Sequence, residues 1–103
     1  MNNKKTKYEV DTIARCFMIQ KRILREFELG ITTKSKYQIE YAKRLTSKIY
    51  LVINDLDANS KFIIHNEVVL GKKGYWYYGY LSTPTYYRHR RKAYKEFLEY
   101  IEQ

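Results

Sequence analysis

Little in this chain cross-links or punctuates it. A single cysteine, Cys16, excludes an internal disulfide and leaves a thiolate zinc site short of ligands. Proline occurs once, at Pro84, and glycine four times. With no Pro/Gly/Ser-rich stretch, no flexible linker divides the 103 residues. That length suits about one domain with a modest core and leaves no room for a catalytic domain beside a regulatory one. No apolar run approaches the roughly 18 residues that a membrane-spanning helix needs. The first residues, Met1 to Lys7, carry the charge of a leader peptide, but no apolar segment follows. A cytoplasmic protein that does not enter the membrane is therefore expected.

Acidic residues are also scarce, 11 against 20 Lys and Arg, which gives a formal net charge of +9. Such an excess points to a polyanionic partner, nucleic acid before an anionic membrane surface. Catalytic signals are missing. There is no nucleophile elbow, P-loop or dinucleotide fingerprint. His65 and His89 stand far apart, without carboxylates or thiols at ligand spacing. Asp55 and Asp57 suit a turn and a helix cap. The expectation is a protein that is not an enzyme and holds no metal or cofactor.

What is present is helical periodicity, and an all-α fold is expected. Over residues 6–29, Val10, Ile13, Phe17, Leu24 and Phe27 recur at three-to-four-residue spacing, with Gln20 and Ile23 filling the gap, and Gly30 stands where a helix stops. Cys16 beside this stripe reads as a small buried hydrophobe. A second helix over residues 35–56 presents Ala42, Leu45, Ile49, Val52, Ile53 and Leu56, with Thr32, Thr33 or Ser35 as its cap. The β-branched run at residues 49–53 is compatible with a short strand, but the pattern before it is helical. Asp57 or Asn59 can cap a third helix over residues 58–70, with Phe62, Ile63 and Val69 inward. A turn at residues 71–74 follows, then one or two helical turns over the aromatic residues 75–80. Two units result, a helical hairpin at 6–56 and a helix-turn-helix at 58–101 within one domain.

The final helix is the clearest. Ser82 is a good N-cap, and Pro84 lies in the first turn, where its missing N–H costs nothing. From Thr83 to about Ile101 one face carries Tyr86, Ala93, Phe97, Tyr100 and Ile101. The opposite face carries Thr85, Arg88, Arg91, Lys92 and Lys95. Cations crowd the N-terminal half and Glu96, Glu99 and Glu102 the last turns, an order that opposes the helix dipole at both ends. It makes sense if the N-terminal half meets phosphates. Arg88 can then bind guanine O6 and N7, Thr85 a phosphate or a thymine methyl, and Arg91, Lys92 and Lys95 phosphates.

The stretch Leu81-Ser82-Thr83-Pro84-Thr85-Tyr86-Tyr87-Arg88-His89-Arg90-Arg91-Lys92-Ala93 resembles the recognition helix of sigma-factor region-4-like helix-turn-helix regulators. It is most similar to phage late-transcription activators of the ArpU and RinA type. The likeness extends over about residues 45–101. It implies sequence-specific binding of double-stranded DNA in transcription control. Ser82 would cap the reading helix and Tyr86 anchor it, while Thr83, Thr85, Arg88 and His89 approach base edges. The DNA-facing set is thus Thr83, Thr85, Tyr87, Arg88, His89, Arg91, Lys92 and Lys95. Between Gly71 and Tyr80 the chain departs from the family. Trp76 can stand for the family's Trp, but Tyr77, Tyr78 and Gly79 replace small apolar residues.

Two rival functions use the same residues differently. The cluster of Tyr75, Trp76, Tyr77, Tyr78 and Tyr80 could stack on RNA or single-stranded bases, although filling the core is its commoner use. Alternatively the region-4-like unit binds RNA polymerase, with weak DNA affinity. A second copy of the chain is a further candidate partner.

Overall fold

The computed structural model describes residues 3–103; Met1 and Asn2, the start of the leader-like segment, lie outside the described residues. The described chain is all-helical: α1 (Asn3–Glu28), α2 (Lys36–Asp55), α3 (Ala58–Ile64), a single π turn (His65–Val69) and α4 (Thr83–Ile101). None of these helices is long and apolar enough to cross a membrane.

Local chemistry sets the boundaries. α1 ends in a Schellman motif: Gly30, at φ +73°, donates to the Phe27 carbonyl, and Ile31 donates to that of Glu26, both at 3.0 Å. α2 starts in a capping box. Ser35 Oγ accepts from the Gln38 N–H, and Gln38 Oε1 accepts from the Ser35 N–H. α2 continues as helix through the β-branched run at 49–53. Asp57 caps α3, accepting from the Ser60 N–H at 2.9 Å.

α1 and α2 form an antiparallel hairpin, and α1 also packs on the π turn and α4. One core draws on every element: Val10 and Phe17 of α1, Ile49, Val52 and Ile53 of α2, Ile63 and Ile64 of α3, Val68 and Val69 of the π turn, and Tyr86, Ala93, Tyr94 and Phe97 of α4. The hairpin outruns this core. At its tip Phe27, expected on the apolar stripe, stays 43% exposed. Its ring is covered by the Lys43 ammonium, 5.1 Å from the centroid. Cys16 is only half-buried.

Two expectations for the middle of the chain change. The third helix does not run as one α-helix to residue 70. The Leu70 N–H bonds the His65 carbonyl, an i to i+5 link that inserts one residue into the turn. The expected helical turns at 75–80 are isolated hydrogen-bonded turns: Tyr78 N–H to Tyr75 O, Tyr80 N–H to Tyr77 O and Leu81 N–H to Tyr77 O. Glycine is the reason. Gly74 at φ +66° and Gly79 at φ +92° hold left-handed conformations that no α-helix contains. Four α-helices and a π turn thus replace the five helices the sequence suggests.

Candidate nucleic-acid interface

The site is built from the inside of α4 outward. Tyr86, Ala93, Tyr94 and Phe97 are buried on its inner face. Three side-chain donors converge there on Glu67 of the π turn. Trp76 Nε1 donates to Oε2 at 2.9 Å, Tyr86 OH donates to the same oxygen, and Tyr94 OH donates to Oε1. One carboxylate therefore ties the π turn, the following loop and α4 together. Donors to an ionised acceptor form the stronger class of hydrogen bond. Burial and the Glu67 hydrogen bond raise the Tyr86 phenol, and burial and the Glu67 charge raise that of Tyr94. Both remain neutral donors at ordinary pH.

Arg90 completes the cluster. Its guanidinium lies 4.9 Å from the Tyr87 ring centroid, 5.3 Å from that of Tyr94 and 5.8 Å from that of Tyr86. Desolvation opposes its charge, but interactions with Tyr86, Tyr94 and Glu67 outweigh it and raise its pKa. Tyr77 is buried and stacked on Tyr86, the two ring centroids 3.7 Å apart and the rings 7° from parallel. These contacts fix the rotation of α4 about its own axis.

The outer face follows from that rotation. Thr83, Arg88, Arg91, Lys92 and Lys95 are exposed, and Thr85 is half-buried. Tyr87, exposed, and His89, half-buried, flank this strip on either side. At the N-terminus Ser82 Oγ accepts from the Thr85 N–H and donates to Thr85 Oγ1. Arg88 reaches Thr85 Oγ1 at 3.4 Å. Among the described residues no carboxylate pairs with Arg88, Arg91 or Lys95.

Lys92 differs from its neighbours. Its ammonium lies 2.6 Å from Asp57 Oδ2 and 3.6 Å from Glu96 Oε1. The Lys92 hydrogen bond, helped by the Ser60 N–H, lowers the Asp57 pKa to about 2. Lys92 thus locks the start of α3 to the middle of α4 and is less free for a phosphate than its position in the basic strip suggests.

Charge is distributed in one block. Between Glu67 and Glu96 there is no acidic residue, while Lys72, Lys73, Arg88, Arg90, Arg91, Lys92 and Lys95 fall in that interval. Most of the net charge of +9 resides there.

Sequence reasoning missed three participants. Glu67 is the lone acid between Asp57 and Glu96, in a segment with many buried positions, and thereby signals a partnered carboxylate. Tyr94 and Arg90 follow Tyr86 by two turns and one turn of the helix, a spacing that places them near its inner side. The aromatic cluster divides: Tyr77 is buried and Trp76 half-buried, while Tyr75, Tyr78 and Tyr80 are exposed. Filling the core accounts for only the first two. Comparison of the chain with protein-family models, with curated proteins and with solved structures gives no match.

Proposed function

We propose that this chain binds double-stranded DNA through the outer face of α4 and acts in transcription regulation. One observation carries the proposal: an outer strip of half-buried Thr85 and exposed Arg88, Arg91 and Lys95, its cations without a carboxylate partner among the described residues, on a helix whose inner face is clamped by Glu67. A helix so fixed can enter the major groove by its N-terminal half without first being ordered. Arg88 then faces base edges, and Arg91 and Lys95, further along, face phosphates. α3, the π turn and the loop before Ser82 would be the supporting part of a helix-turn-helix, with the α1–α2 hairpin as its brace. The likeness of residues 81–93 to sigma region-4-like regulators agrees with this assignment and brings RNA polymerase in as a second partner.

Titrating the protein with a mixed-sequence duplex at increasing salt tests the proposal. Two phosphates neutralised by Arg91 and Lys95 give a slope of log affinity on log salt of about −2. A slope near zero, or no duplex binding at low salt, rejects it. Selection from a random duplex pool then tests sequence specificity.

A further inference from the structure

Three tyrosines that the core does not use stand in the loop before α4. Tyr75 is 68% exposed, Tyr78 59% and Tyr80 68%, although aromatic rings at this exposure forgo the stabilisation that burial would bring. They do not belong to a loose tail. Tyr77, between Tyr75 and Tyr78 in the chain, is buried and stacked on Tyr86. The carboxylate that anchors α4 also anchors Trp76. The rings of Tyr75 and Tyr78 lie 4.9 Å apart, and Tyr78 meets Tyr77 at 5.3 Å. On the far side Tyr86 meets Tyr87 at 5.2 Å. A continuous chain of rings therefore links the exposed Tyr75–Tyr78 pair to the flank of the basic strip. Lys72 and Lys73, both exposed, precede the pair, and no acidic residue lies between Glu67 and Glu96.

We infer that the loop at residues 72–80 is a second DNA contact, in which Tyr75 and Tyr78 stack on unpaired bases adjoining the duplex held by α4. The inference rests on the duplex reading above. Paired bases inside a duplex offer edges to a groove but no free ring face; an unpaired base offers one. Lysines beside exposed rings match the two surfaces of a single strand, charged backbone and flat base. The favoured ligand is then a duplex with a single-stranded extension or an opened segment, rather than a fully paired one.

Three probes at one salt concentration test this: a blunt duplex, the same duplex with a thymidine tail, and the tail strand alone. The expected result is about tenfold tighter binding of the tailed duplex than of the blunt one, one base stacked on an aromatic ring being sufficient. Tyr75→Ala with Tyr78→Ala removes that preference and leaves blunt-duplex affinity unchanged. Tyr75→Phe with Tyr78→Phe retains it, because the ring faces remain. Both rings are exposed, and an unchanged melting temperature confirms that the variants fold. Equal affinity for blunt and tailed duplex overturns the inference while the duplex reading stands. Persistence of the preference in the alanine pair also overturns it. Binding of the tail strand, abolished by the alanine pair, without blunt-duplex binding rejects the duplex reading and leaves the loop contact in place.

Discussion

Two tyrosines that stack on each other have opposite hydrogen-bonding fates. Tyr86 OH donates to Glu67, whereas Tyr77 OH is buried without a hydrogen-bond partner among the described residues. Removing a donor to a charged acceptor costs about 1.5–3 kcal/mol, but deleting an unpartnered buried hydroxyl removes a desolvation penalty. Tyr86→Phe is therefore expected to lower stability by about 1.5–3 kcal/mol. Tyr77→Phe should be neutral or stabilising by up to about 1 kcal/mol. Urea unfolding of the two variants measures both. Equal losses would show that the hydrogen bond to Glu67 does not set the Tyr86 hydroxyl apart from that of Tyr77.

The charge order of α4 runs against its helix dipole. Its first turn contains no acid and its last turn no base, so its termini receive no help from charge. Ser82 and Pro84 supply the start, and burial of the inner face supplies the rest. The charge order is thus free to serve the outer face. Arg88 lies nearer the N-terminus than Lys95 and contacts Thr85, the other candidate for a base edge. On the preferred duplex Arg88→Ala is expected to cost about 1–3 kcal/mol and to relax preference at one base position. Lys95→Ala should weaken all sequences alike, and by less. Binding of both variants to the selected and to a scrambled duplex decides the matter. An equal loss on both duplexes for Arg88→Ala would place specificity elsewhere.

For the whole molecule the decisive fact is that a single core serves four helices and the π turn. Phe97 is fully buried within it. Its truncation should destabilise by about 3–5 kcal/mol, as aromatic-to-alanine changes do in packed cores. Because α1 packs on both the π turn and α4, the loss should appear in every element at once. Thermal unfolding of wild type and Phe97→Ala is expected to be a single transition by helicity and by Trp76 fluorescence. If the hairpin melts separately from α4, the core is not shared in the way the contacts imply.

Sequence alone determined the elements whose cause is local. Ser82 caps α4, Gly30 stops α1, and three-to-four-residue periodicity places the inner faces of α2 and α4, whereas the structure picks Ser35 and Asp57 from the caps the sequence leaves open. These signals act over one or two turns, so they are written where they operate. Helical phase alone also placed Arg88, Arg91 and Lys95 on an exposed strip. Tertiary structure decided the rest. The approach of Asp57, 35 positions away, converts Lys92 from a free cation into a tie between helices. Glu67 becomes a hub only because the π turn, the loop and α4 meet there, bringing Tyr86 and Tyr94 from 19 and 27 positions away. The aromatic run at 75–80 has no period that tells the buried Tyr77 from its exposed neighbours. Left-handed glycines and the Tyr86 ring make that choice, since a residue in a turn takes its side from what packs against it.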